Sequence, residues 1–238
     1  MRHHLDDLSD DYRNFYGTRN LANLTAGFLA GGLMANTHFD TYISDKVFEN
    51  VIDVNNDEYT ELLHLPKSLG DGYFILPLIG ATAIAEPWLE KSPILQPLGE
   101  WGNRSWRAAL VGGPFALASQ RLIGGSRPNE TDYRSHWTPF QDNNSVSGHA
   151  FVGAIPFLAA AQMTNKPLIK VVCYAGSLLP GISRINDERH YASQVFLGWY
   201  IAFLATQAVD QTKSSQSGFQ IFPTVDENGF GVMFDKRF

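Results

Sequence analysis

Six apolar stretches of helical length dominate the chain and limit what it can fold into: LANLTAGFLAGGLMA, YFILPLIGATAIAE, WRAALVGGPFALASQRL, GHAFVGAIPFLAAAQM, LIKVVCYAGSLL and SQVFLGWYIAFLATQAV. Their lengths and their Ala and Leu content favour helices over strands, because unbranched side chains lose little rotamer freedom in a helix. Strand-like alternation is confined to the end, where FQIFPTV and FGVMFDKRF flank DENG, whose Asn-Gly suits a tight hairpin turn. The expected fold class is all-α: a helical bundle of about six core helices with a small C-terminal β-hairpin. A single domain is expected over residues 1–213. SSQSG at 214–218 reads as a short linker, and residues 219–238 as the hairpin appended to the domain.

With 238 residues, 44% of them hydrophobic, the chain can fill one sizeable core. A net charge of -6 leaves no general basic field, so nucleic acid is not an expected partner and any anion site must be built locally. The one cysteine, Cys173, lies in IKVVCYAG, which excludes an intramolecular disulfide and reads as a small buried residue. The N-terminal arm MRHHLDDLSDDYRNFYGTRN is polar and acidic, without the basic and then apolar pattern of an export signal. Three stretches free of charged residues, 20–39, 143–165 and 191–209, approach spanning length. All carry Asn, Gln, Ser or Thr, and the mean hydropathy is -0.15, so buried helices of a globular bundle are favoured over spanning ones. Membrane contact stays open, and the compartment is undetermined.

Two segments read as long connections. In residues 36–70, a helix plus loops is expected; within it DVNNDEYTELLH imitates a calcium loop, but Glu58 stands at its glycine position and His64 at its closing glutamate. Calcium is therefore not expected. The other, residues 124–146, is rich in polar and turn residues between two helical stretches, and loops of this length inside a domain are often functional.

Clusters of chemistry-bearing residues bracket that second loop. QRLIGGSRP places Arg121 and Arg127 around a Gly-Gly. SVSGHAF offers Ser147, Gly148 and His149 at a helix start, where unpaired N–H groups bind anions. GISRINDERHYASQ adds Ser183, Arg184, His190 and Gln194. Singly, each has an ordinary explanation: Arg127 as a solvated loop residue, Ser147 as a helix cap, His149 as a core histidine, Arg184 in a surface ion pair with Asp187 or Glu188. Only the joint spacing is specific.

As a set, these residues resemble the three-part signature of the type 2 phosphatidic acid phosphatase and vanadium haloperoxidase superfamily: Lys-x6-Arg-Pro, Pro-Ser-Gly-His and Ser-Arg-x5-His-x3-Asp. Here it reads Gln120-x6-Arg127-Pro128, Val146-Ser147-Gly148-His149 and Ser183-Arg184-x5-His190-x3-Gln194. The resemblance covers residues 120–194 and departs at Gln120, Val146 and Gln194. It implies an all-α bundle and a phosphate pocket in which Arg127 and Arg184 clamp oxygens, the Ser147 hydroxyl and Gly148 N–H donate, and Gln120 stands at the lysine's place. It further implies that His190 attacks phosphorus to form a phosphohistidine, while His149 protonates the leaving alkoxide and then activates water. No metal or cofactor is implied, other than vanadate for a haloperoxidase.

The departures bear on charge and orientation. Without the lysine one positive group is gone, and the adjacent Arg121 would point about 100° away on a regular helix. Gln194 can accept an imidazole N–H from one helical turn away but cannot stabilise an imidazolium, and a wrong tautomer would cost up to ~10⁴ in rate. Asp187 is a weak substitute acid. Trp137, Phe140 and Asp142 are expected at the pocket mouth, with Arg134 and His136 adding positive charge. The expected function is a metal-independent, acid-phosphatase-like phosphomonoesterase acting on a lipid phosphate or small organic phosphate, weakened by Gln120 and Gln194. Its alternatives are a non-catalytic phosphate or lipid-headgroup binder and a vanadium-dependent haloperoxidase, the latter disfavoured by the absent lysine. Gln194→Asp should raise activity in a merely weakened enzyme.

Overall fold

The computed structural model describes residues 2–48, 65–128, 130–217, 219–226 and 229–236. Eight α-helices occur among them: α1 (Arg2–Phe15), α2 (Thr18–Ala35), the single turn α3 (Phe39–Tyr42), α4 (Gly72–Leu89), α5 (Gln96–Ile123), α6 (Gly148–Gln162), α7 (Pro167–Asn186) and α8 (Ala192–Ser217). A π-helical turn, Ile43–Phe48, follows α3, and a 3-10 segment, Leu65–Gly70, precedes α4. The calcium-like stretch lies outside the described residues.

The expected fold class is corrected in its second half. The folded unit is all-α, with no strand among its described residues 2–217, and a β-hairpin is not a component of it. The last described segments, Phe219–Asp226 and Gly229–Lys236, pair antiparallel with each other and add no layer to the bundle. Nor does a linker begin at 214, because α8 continues to Ser217.

Helix α8 is the axis of the bundle, packing against α1, α2, α5, α6 and α7. Leu197, Ile201, Leu204 and Val209 on α8 meet Val111 of α5 and Ile155 and Leu158 of α6 in the fully buried core. Helix α2 approaches closely because of its small residues: Gly27 lies on the Tyr200 ring, and a Cβ at Gly31 would come within 2.8 Å of Leu197. The acidic N-terminal arm is structural. In α1, Asp11 is fully buried and takes a two-pronged pair from Arg107 of α5, at 2.6 and 2.7 Å. Such a fork satisfies two buried charges at once and fixes where the arm docks.

Helix α4 packs mainly on α5, with Asn103 donating to the buried Glu86. Its other side is bare: Tyr73, Phe74, Leu78, Ile84 and Trp88 are exposed, as are Leu168, Val171 and Val172 on α7. Among the described residues, three helices are long and apolar enough to cross a membrane: α4, α7 and the Ala192–Ser214 part of α8. Within those spans only 17% of α4 and 28% of α7 is buried, against 61% of α8. Of the three charge-free stretches, 191–209 lies in the mostly buried α8, whereas α4 and α7, outside those stretches, present apolar faces that suit lipid. Cys173, on α7, is likewise partly exposed instead of buried.

Candidate active site

The site forms at the end of the bundle where α5 stops, α6 and α8 start and α7 stops. Gly124 and Gly125 (φ 67° and 146°) let the chain turn sharply out of α5, a conformation in which a Cβ at Gly124 would strike the Thr138 carbonyl. The following loop is tied down along its length. The Ser145 hydroxyl donates to the last carbonyls of α5 (Ser119 and Gln120, both 3.1 Å), Ser135 donates to the Ala35 carbonyl at 3.0 Å, and the Trp137 N–H to Asn36 at 3.1 Å. Asp142 accepts from Asn144, whose Oδ1 in turn accepts from Arg127 Nε at 3.1 Å. Asp142 thus supports the residue that aims Arg127.

Gln194 joins all three sequence motifs. Its backbone carbonyl accepts from Ser147 N–H at 2.9 Å, and its Nε2 donates to the Ser126 carbonyl at 2.7 Å, next to Arg127. Its Oε1 accepts from the Tyr191 N–H at 3.1 Å and meets His190 Nδ1 at 2.9 Å. The Tyr191 contact is the back-bonding half of a capping box, with Tyr191 as N-cap of α8 and Gln194 three residues on. Two backbone partners thus fix the amide: Nε2 must face a carbonyl, and Oε1 must face an N–H. His190 Nδ1 can then only donate, which puts the neutral ring in the Nδ1–H tautomer and leaves the Nε2 lone pair free. The feared tautomer error does not arise.

His190 is buried, and burial is the main cause that pushes its pKa down to about 4, helped by Arg127, Arg184 and His149 against the raising effect of Gln194. A charged ring would lose its hydration there, so it stays neutral near neutral pH. His149, second residue of α6, is also shifted down, first by burial, then by Arg184 and Lys67, with Asp71 and Asp187 opposing. Ser147 is the N-cap of α6, its hydroxyl oxygen accepting from Ala150 N–H at 3.3 Å, so its own proton remains to give. Val146, where the signature has proline, is a fully buried core residue.

Arg184 sits in the last turn of α7, almost wholly buried, and donates through Nη2 to Asp187. This ion pair is interior, not the surface pair considered from sequence. Among the described residues the buried Arg184 Nε and Ser183 Oγ have no hydrogen-bond partner. Donors left over in this way at a junction of helix ends are suited to anionic oxygens. Gln120 does not reach out as a lysine would: its Nε2 donates to the Val146 carbonyl at 2.7 Å, bracing the turn before Gly148. Arg121, Arg134, His136 and Phe140 are exposed.

Sequence reasoning missed Asn144, Asp40 and the pair Lys67 and Asp71. Asp40, fully buried on α3, accepts from the backbone N–H and hydroxyl of Ser193 and so holds the start of α8 beside Gln194. Burial raises its pKa, opposed by those hydrogen bonds. It is distant in sequence from everything it touches, and no local pattern marks it.

The sequence model of the PAP2 superfamily matches residues 108–214. That segment runs from within α5 to near the end of α8 and includes every signature residue. No curated protein matches the chain. Among solved structures, the chain is similar to the first transmembrane PAP2 type phosphatidylglycerolphosphate phosphatase from Bacillus subtilis, at 15% identity and a TM-score of 0.58. The match covers 84% of this chain and 98% of that one, so the PAP2 fold extends beyond the matched segment to the helices around it.

Proposed function

We propose that this chain is a membrane-associated phosphatase that hydrolyses a lipid phosphate through a phosphohistidine on His190. The observation that carries this reading is the locked ring: Gln194 holds Nδ1–H, and the free Nε2 belongs to a neutral imidazole acted on by two guanidinium groups. A neutral, oriented imidazole is a nucleophile at ordinary pH. Arg127, Arg184 and the Ser147 hydroxyl would hold the phosphoryl oxygens as charge develops on them. His149, held near the same arginine, would give a proton to the leaving alkoxide and afterwards take one from water. All of these steps use protein groups alone.

Three features support a lipid substrate. The outward faces of α4 and α7 fit a bilayer, and the similar solved structure is that of a phosphatidylglycerolphosphate phosphatase. An apolar groove also runs along α2, lined by Leu21, Phe28, Leu33, Phe115 and Trp137, and Trp137 belongs to the loop that carries Arg127. Purified protein in detergent should release phosphate from dioleoyl phosphatidic acid, and His190→Ala should abolish this. Equal release by the variant would refute the assignment of His190.

A further inference from the structure

The donors of this site outnumber its net charge. Arg127 and Arg184 act on His190, and Arg184 and Lys67 act on His149. Against these three cations stand three carboxylates: Asp71 and Asp187, which act on His149, and Glu130, which lies 3.5 Å from Arg127. Gln120 contributes no charge at the signature's lysine position. The weights differ. Glu130 and Arg127 are partly open to water, which screens their pair. Arg184 and Asp187 are both more than nine-tenths buried, so little water screens their pair and Asp187 opposes part of the Arg184 field. Arg184 Nε and Ser183 Oγ still offer hydrogen bonds.

From this balance, and resting on the phosphatase reading above, we infer that the pocket is matched to a phosphoryl group carrying one negative charge. A phosphodiester fits that description, as does a monoester with one oxygen protonated. With His149 protonated as the general acid, the groups named leave one positive charge, so a doubly charged group would bring a second charge without an offset among them, at a cost that grows with burial. For a diester, His190 Nε2 attacks phosphorus, the P–O bond to the leaving alkoxide breaks, and His149 gives that oxygen its proton. Water then attacks phosphorus and returns a proton to His149, and the P–N bond breaks. One water is consumed, and an alcohol and a phosphate monoester leave.

The test compares methyl p-nitrophenyl phosphate, a monoanion, with p-nitrophenyl phosphate at pH 7.5, where a phosphomonoester is largely dianionic. Full-length protein, Asp187→Asn and Glu130→Gln are measured with both, so that intrinsic reactivity cancels in each variant-to-parent ratio. Asp187→Asn should shift kcat/KM about 10-fold toward the dianion, and Glu130→Gln should shift it the same way by less. Calorimetry with His190→Ala should show methyl phenyl phosphate bound more tightly than phenyl phosphate, with Asp187→Asn added to it reversing the order. Dianion preference unmoved by either substitution overturns the inference and leaves the phosphatase reading standing. Monoanion preference in binding without any turnover upholds the inference and removes that reading. Failure to bind either ligand overturns both.

Discussion

Gln194 uses every polar atom of its side chain, and this sets what can replace it. A carboxylate at 194 could still accept from His190 and Tyr191, but it has no N–H for the Ser126 carbonyl and would face that oxygen with like polarity. The structure thus reverses the expectation that restoring the signature's aspartate helps. Gln194→Asp should lower kcat/KM by about 10-fold or more, because the loop carrying Arg127 loses its tie to the histidine; a gain in activity would show that charge matters more than the tie. The two histidines also fix a pH profile. The nucleophile must be neutral, so activity rises with pH through the His190 pKa of about 4. The general acid must be protonated, so activity falls as pH passes the His149 pKa, which lies below its ordinary 6.5. After correction for substrate ionisation, kcat/KM should peak between these limits; an acid limb near 6.5 would contradict the assignment of His190.

At the scale of elements, the start of α8 organises the site. Tyr191 as N-cap with Gln194 behind it is a capping box in which the usual Ser or Thr is absent, so the pattern is poorly visible in sequence. Asp40 completes it from α3. Asp40→Ala would leave the Ser193 N–H and hydroxyl buried without an acceptor, and should lower stability by about 1–3 kcal/mol in chemical unfolding. Activity should fall with it, as the frame holding His190 loosens; unchanged stability would mean that α8 is capped by other means. The six helical stretches were legible because apolar runs of that length have few other uses. The motif residues were legible from spacing. Their partners were not: Asp40 and Asn144 meet them through tertiary approach, and Asp187 changes from a bland acid to an interior counter-ion only once α7 is seen to end there.

On the scale of the whole molecule, the N-terminal arm, read as merely acidic, is a docked helix held by Arg107, and the exposed apolar faces of α4 and α7 fall on different helices from those that charge-free runs singled out. The reason is physical. Helix α4 contains Glu86 and α7 contains Lys170 and Arg184, so neither is free of charge, yet Glu86 and Arg184 are turned inward onto partners. Charge position around a helix, not charge count, decides which face lipid can take. The expressed chain should sediment with membranes after alkaline carbonate washing and be released by detergent; recovery in the carbonate supernatant would show that the apolar faces of α4 and α7 are covered by something other than lipid.

Covalent chemistry at His190 is the centre of this account, and it can be read directly. With p-nitrophenyl phosphate the leaving group needs little protonation, so in His149→Ala the first step should proceed while hydrolysis of the intermediate stalls. Rapid mixing followed by denaturing alkaline quench and peptide mass spectrometry should find close to one phosphoryl group per chain, on His190. A phosphoryl group on any other residue, or nitrophenol release that continues with none trapped, would contradict it.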